Sequence, residues 1–348
     1  MAFTDSAKFK GVTDFQKDNL SNNLLLGVQD FFSWGFLEVG GFQNITKDPA
    51  VEGSIDGETF QRFRLRPVDD PSYDQGQVWE TFRNDLVWET GVSYANAKPI
   101  QISGVWVDGY YYENNHGTYS HYVDHPNGRV VFDYPVITSR QVEMNFSHRT
   151  VGVALASEKF IQELMYDSYD MEDVNTYLIS SSGARSQLGE RRLQLPVIAL
   201  ELVSSPKRDG YQLGGGQIAY NDILIHIFAD NEYEKNNIRD IVLNQSDRNI
   251  RLINRGLYKQ KKRAGGHDYP HQLDSFGSPV GTGMMYPSLI QPTGIDAEGG
   301  YTGFGWKSTR FEKMTCSDME PVNSWLFRST VRATFSTIMG VGDDIGPT

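Results

Sequence analysis

The densest run of metal-ligating side chains is "HGTYSHYVDH", which sets His116, His121 and His125 beside Asp124. Three imidazoles and a carboxylate form a donor set that suits zinc or a similar ion. Their spacing, however, falls across a turn and a strand, so the three rings do not share one face. Hydrogen-bonded or exposed histidines are the expectation here. "HDYPH" (His267, His271) lies in loop sequence and makes a weaker pair. No metal and no cofactor are expected.

The triplet Gly214–Gly216 opens "GGGQIAYNDILIHIFADNEYEKNNIRDIVLNQ" and invites a phosphate-binding reading. It fails on order. A phosphate loop follows a strand and opens a helix, so that backbone N–H groups and the helix N-terminus meet the anion. Here the glycines precede a strand, and neither a P-loop lysine nor a G-x-G-x-x-G spacing follows. They read as a turn.

Nucleophile signals are also missing. There is no G-x-S-x-G, and the single cysteine, Cys316, sits in a charged strand without a marked histidine partner. One cysteine makes no intrachain disulfide, so the fold does not depend on an oxidising compartment. The adjacent carboxylates Asp69–Asp70 and Asp343–Asp344 read as solvated loops. The one basic run, "YKQKKR" (Tyr258 to Arg263), reads as a solvated loop before it reads as a phosphate contact. The run Tyr110–Tyr112 has faces that could stack on sugars, although aromatic strand ends commonly pack or form interfaces. Every catalytic reading is weak, and the chain is expected not to be an enzyme.

The elements that would carry these residues come next. The 348 residues supply ample core for one large domain or two ordinary ones. Aromatics at 12% exclude a disordered chain, and a net charge of -12 argues against a general nucleic-acid binder. That charge is compatible with a surface that DNA slides past. "MAFTDSAKFKGVTDFQKDN" lacks an apolar h-region and no apolar run approaches a membrane span, so a soluble protein folded in the cytoplasm is expected.

Asp14 to Leu37 carries a helical stripe at Leu20, Leu24, Val28, Phe31 and Phe32, broken at Gly40–Gly41 before a strand. Residues of roughly 50–155 are β-rich, with a two-residue hairpin turn expected at Asn127–Gly128. "QVEMNFSHRTVGVAL" reads as a half-buried strand with Val142, Met144 and Phe146 alternating. Ser157 to Val174 has a helical face at Phe160, Ile161 and Leu164, with Ser157 as N-cap. "QLPVIALELVSS" is an apolar strand.

In "NDILIHIFAD" both faces are apolar, which predicts a central strand covered on both sides. Asn231 with Glu234 predicts a capping box, followed by a buried stripe at Ile238, Ile241 and Val242. "RNIRLINR" is a returning strand, and "WKSTRFEKMTCSD" and "SWLFRSTVRATFSTIM" are two more. Between them, residues 264–305 show abundant Gly and Pro without periodicity. Long structureless loops are uncommon in compact domains. Tyr269, Phe276, Met284, Met285, Tyr286, Leu289 and Ile290 nevertheless want burial. Two outcomes stay open: an extended arm ordered on a neighbouring subunit, or a loop packed on its own chain. In the first, these seven residues are subunit or partner contacts.

"LPVIALELVSS…YQLGGGQIAYNDILIHIFADNEYEKNNIRDIVLNQSDRNIRLI" resembles the core of tailed-bacteriophage tail-terminator and neck proteins of the head-tail junction. The shared pattern is strand, loop, a strand ending in Ala before Asp, a polar helix start, and a short returning strand. "YVDHPNGRVVFDYPV" and "DQGQVWETFRNDLVWE" look like segments of phage virion proteins. The resemblance covers residues of roughly 14–47, 193–258 and 306–339, and the β-rich stretch departs from a minimal terminator.

The resemblance implies an α+β fold, a terminator-like mixed sheet flanked by helices, with a β-rich insertion and a long extended arm or loop. The chain would divide into 1–49 (N-terminal helix and strand of the core), 50–155 (insertion), 156–263 (α/β core), 264–305 (arm) and 306–348 (C-terminal core strands and tail). It implies a structural virion protein, assembled in the host cytoplasm and forming a ring, a homohexamer, between the head connector or adaptor and the tail tube or sheath. DNA would pass its channel without specific binding, and no membrane is involved. The alternatives are another tail or baseplate structural protein, or a carbohydrate-binding protein built on the β-rich insert.

Overall fold

The computed structural model describes residues 20–47, 53–55, 58–60, 62–89, 91–166, 194–210, 216–253, 261–262, 268–269, 273–278, 286, 305–318 and 326–339. The first helix, α1 (Leu20–Glu38), forms where the apolar stripe predicted it and buries Leu20, Leu24, Val28, Phe31 and Phe32. It ends in a Schellman turn. The Gly41 amide donates to Phe36 O at 2.7 Å and the Gly40 amide to Leu37 O at 3.1 Å, with Gly40 at φ +88.

Short strands follow: β1 (Phe42–Ile45), β2 (Gly53–Ile55), β3 (Glu58–Phe60), β4 (Arg66–Val68), β5 (Val78–Glu80), β6 (Gly104–Val107) and β7 (Tyr110–Glu113). Next are β8 (His121–Asp124), β9 (Arg129–Phe132), β10 (Val142–Glu143), β11 (Phe146–Arg149) and β12 (Gly152–Leu155). The helix α2 (Lys159–Tyr166) leads to two long strands, β13 (Val197–Gly210) and β14 (Gln217–Ala229), and to α3 (Glu232–Leu243). The chain closes with β15 (Asn249–Ile253), β16 (Lys261–Lys262), β17 (Asp268–Tyr269), β18 (Gly305–Asp318) and β19 (Phe327–Met339).

The dominant element is a six-stranded sheet ordered β12-β13-β14-β19-β18-β15, antiparallel except for the β12–β13 pair. It curls into a half-barrel. One face carries Ile198, Leu200, Ile223, Ile225, Ile227, Phe311, Val331 and Phe335, buried against α1 and α3. Among the described residues the other face is covered at one end, where Ile161 and Leu164 of α2 meet Val197, Ala199 and Phe228.

The expected helix-flanked α+β fold is therefore corrected. Among the described residues strand makes up 45% and helix 17%, so this part of the chain is mostly β-sheet around a curled half-barrel. The cause lies in strand length. The apolar run ending near Val203 marks only half of β13; "SPKRDG" continues as strand because one face of the sheet is open to water and accepts polar residues. Strands β18 and β19 form at essentially the lengths the sequence predicts.

The strand expected to be central and covered on both faces is central, between β13 and β19. Its second face is buried only at His226 and Phe228, while Tyr220, Asp222 and Leu224 stay half-buried. Asn231 caps α3, its Oδ1 accepting from the Glu234 amide at 2.8 Å. Ile241 leaves the expected stripe and is 37% exposed, while the stem of Lys235 is buried.

The β-rich stretch makes small sheets around a second core that includes Phe63, Trp79, Leu86, Phe132, Met144 and Phe146. "QVEMNFSHRTVGVAL" is not one strand. It becomes β10, β11 and β12, which pair in three different sheets, with β6, β1 and β13. The tight hairpin is Asp108–Gly109, where both residues have positive φ (50 and 84) between the paired Val107 and Tyr110. At Asn127–Gly128 the connection is longer, running from His125 to Gly128 between the paired Asp124 and Arg129.

Candidate functional site

Among the described residues, the outer face of the six-stranded sheet carries no packed element beyond α2. Residues paired across strands share a face, so the registers place Glu201, Leu224, Arg332 and Thr315 in one row across β13, β14, β19 and β18. Neighbouring rows add Thr330, Asp222, Thr334, Lys207, Tyr220 and Lys313. Polar networks knit this face together. Asp222 accepts from Arg332 Nη2 at 2.5 Å and from Thr334 Oγ1 at 2.8 Å, and these contacts hold its carboxyl below the usual range. Lys207 pairs with Asp209 at 2.9 Å.

Next to the end covered by α2, His226 Nε2 meets Glu201 Oε2 at 2.8 Å and His226 Nδ1 meets Thr330 Oγ1 at 3.1 Å. Arg328 Nη2 approaches Nδ1 at 3.3 Å. The guanidinium can only donate, which makes Nδ1 the acceptor and leaves the proton on Nε2 for Glu201. Burial lowers the His226 pKa, with Glu201 opposing, so the ring is neutral near pH 7. A hydroxyl, an imidazole and a carboxylate in series have the form of a nucleophile relay. Among the described residues, the backbone N–H groups beside it are committed to the ladder on both sides of β14. The arrangement links β13, β14 and β19 across the face.

Sequence reasoning missed these four residues. The available signal was the intrusion of single polar residues, His226 and Glu201, into otherwise apolar strands.

A second charged group lies inside. Arg149 is buried and reaches Glu89 through Nη2, Asp85 Oδ1 through Nε at 3.2 Å, and Ser33 O of α1 through Nη1 at 3.1 Å. Burial pushes the Glu89 carboxyl up while Arg149 opposes. Trp88 packs edge-on against Trp34 of α1 at 5.7 Å. This cluster binds the β-rich stretch to the helix.

The histidines of the opening motif separate. His121 and His125 are both buried, while His116 is exposed and packs on Tyr112 at 4.8 Å. His125 is driven down to about 3 by burial and by the Arg149 charge; His148, which the sequence did not mark, is driven to about 4 by burial and by Arg83 and Arg62. Among the described residues no group of three His, Cys, Asp or Glu side chains could hold a metal ion. His267 and His271 lie outside the described residues, as do Asp343–Asp344, Gly214 and Gly215. Cys316 is exposed, with Sγ 3.3 Å from Ser329 Oγ.

Of the proposed contact residues, Tyr286 is buried in its own chain. Its ring meets Phe31 at 6.0 Å and Trp34 at 6.3 Å, and its hydroxyl donates to Arg251 O at 2.7 Å. Beside it, Phe36, Glu38, Ile241 and Arg248 line a cleft of about 220 Å³, which is smaller than most ligand pockets. Phe276 is half-buried, and its carbonyl accepts from the Val123 amide at 3.0 Å. Tyr269 lies in β17. Met284, Met285, Leu289 and Ile290 lie outside the described residues.

Tyr110 is 72% and Tyr111 43% exposed, whereas Tyr112 turns inward onto Tyr119 at 4.5 Å. No helix among the described residues is long and apolar enough to cross a membrane. A scan against known protein families finds no match for this chain, and no curated protein matches it.

Proposed function

We propose that the chain is a structural virion protein of the head-tail junction, assembling into a ring through its large sheet. The observation that carries the reading is the sheet itself. Among the described residues it is curved, covered on one face and open over most of the other. Beyond Leu200, no described strand pairs with the outer edge of β13, from Glu201 to Gly210. Backbone groups on such an edge are a template for another chain. The break in register between Val203 and Lys207, with Pro206 within it, confines that pairing to a short stretch and discourages open-ended stacking.

A heterologous contact between this edge and a different surface of the next copy closes a ring when the rotation per subunit fits. The resemblance to neck proteins supplies the place and the expected sixfold order. The open face, however, is rich in Lys207, Arg310, Lys313, Arg328 and Arg332 against Glu201, Asp209 and Asp222. A basic face would hold DNA. In this reading the open face therefore meets neighbouring particle proteins, and the acidic surfaces elsewhere on the chain line the channel.

Light scattering on the purified chain tests the proposal. The expected result is a closed species of about six times the 39.3 kDa subunit, or a smaller oligomer in concentration-dependent exchange with it. A monomer across the accessible concentration range would refute assembly through the chain's own edges.

A further inference from the structure

The outer face of the β10-β6-β7 sheet has a different character from the half-barrel, and its features do not depend on ring formation. Glu143 pairs with Trp106, Trp106 pairs with Tyr111, and Arg64 bridges to Glu143. The four therefore form one row on one face. The opposite face, with Val105, Val107 and Val142, is buried in the second core.

The row is built to present flat rings. A Cβ at Gly104 would lie 2.8 Å from Tyr111 Oη and 2.9 Å from its Cζ. The missing side chain makes room both for the Tyr112 carbonyl, whose oxygen would lie 2.2 Å from such a Cβ, and for the Tyr111 ring across β6. Its hydroxyl is fixed there by Ser103 Oγ at 2.8 Å, and the Trp106 ring sits 5.0 Å away. Lys47 Nζ stands 5.5 Å over the Trp106 ring and 2.5 Å from Glu143 Oε2, while Gln141 Nε2 donates to Glu143 Oε1. Glu143 is buried and satisfied from both sides, so it anchors Lys47 and Gln141 and offers no free carboxylate outward. The exposed charge at the far end of the row is Arg64.

We propose that this face binds an acidic polysaccharide. The apolar C–H faces of its pyranose rings lie on Tyr111 and Trp106, and a uronate-type carboxylate reaches Arg64 and Lys47. Rings locked in advance lose little entropy on binding. The surroundings favour a sugar over a protein segment, because Ser103, Gln141, Lys47 and Arg64 rim the row with hydrogen-bonding groups. Adjacent strands are about 4.8 Å apart, so the row from Arg64 to Tyr111 spans about 14 Å, the reach of a short oligosaccharide. The competing account is that Tyr111 merely shields the strand glycine, a purely stabilising contact.

A microarray of uronate-containing and neutral polysaccharides, probed with the full-length protein, separates the two. The expected result is a signal on acidic glycans that falls at least about tenfold in Trp106→Ala and Tyr111→Ala. Tyr111→Phe, which keeps the ring, should retain the signal. Arg64→Gln alters an exposed residue and leaves the core alone; it should weaken acidic glycans selectively, with an unchanged unfolding midpoint. No signal on the array, binding that survives Trp106→Ala, or equal binding of neutral and acidic chains unaffected by Arg64→Gln would each overturn the proposal. The mass measurement on the ring is indifferent to all of these outcomes.

Discussion

Acid should loosen the β-rich part of this protein, and two buried histidines set the size of the effect. His125 and His148 start from an ordinary value of 6.5 and are held at about 3 and about 4 in the folded chain. For each, the unfolded chain binds a proton more readily than the folded one. The stability they confer is therefore complete above about 6.5 and is lost progressively as the pH falls toward the folded values. Between pH 7 and pH 5 linkage gives a loss of about 2 kcal/mol per histidine, or about 4 kcal/mol together. That is a large share of the 5–15 kcal/mol typical of a domain. Glu89 acts in the opposite sense, because burial raises its carboxyl and favours proton uptake by the folded chain. Its contribution cancels when variants are compared at the same two pH values. The assay is urea unfolding followed by tryptophan fluorescence, on the native chain and on His125→Asn and His148→Gln. Each variant should show about 2 kcal/mol less pH dependence between pH 7 and pH 5, whatever its absolute stability. Identical pH dependence in all three proteins would refute the idea that these rings are kept neutral by burial.

Arg149→Met leaves Glu89 buried without its partner and should cost about 3–5 kcal/mol in the same assay; a cost under about 1 kcal/mol would mean the cluster is solvated. Gly128→Ala forces a side chain onto φ +64 with its Cβ 2.4 Å from Arg83 O, and should destabilise by about 1–3 kcal/mol or more, read as a lower unfolding midpoint. Asn231→Ala removes the cap of α3 and should cost about 1 kcal/mol, with Asn231→Ser largely restoring it. Phe335→Ala empties a fully buried site beside Phe311 and should cost about 3–5 kcal/mol.

Local signals were read well where one segment decides its own conformation. The stripe from Leu20 to Phe32 and the Asn231 cap each need only neighbours within a turn or two, and both are present. The central place of β14 followed from its apolar density. Positive-φ turns were harder. Asn127–Gly128 and Asp108–Gly109 carry the same type of dipeptide, and only strand register makes the second the two-residue turn. The candidate surfaces were less legible still. Tyr110–Tyr112 drew notice as a run, but the partnership of Tyr111 with Trp106, Gly104 and Ser103 depends on which strand lies beside β7.

The sequence by itself determined the cysteine-poor, aromatic-rich chain, its helices, the length of β18 and β19 and the apolar half of β13, because composition and short periodicity express the preferences of single segments. Only the tertiary structure decided that polar stretches such as "SPKRDG" extend the strands, that one apolar-looking run serves three sheets, and that His125, His148 and Arg149 lie in the interior. The physical reason is that burial and pairing belong to two segments at once. A lysine in a strand is acceptable when the face is open to water and costly when it is covered, and nothing in its own neighbourhood says which.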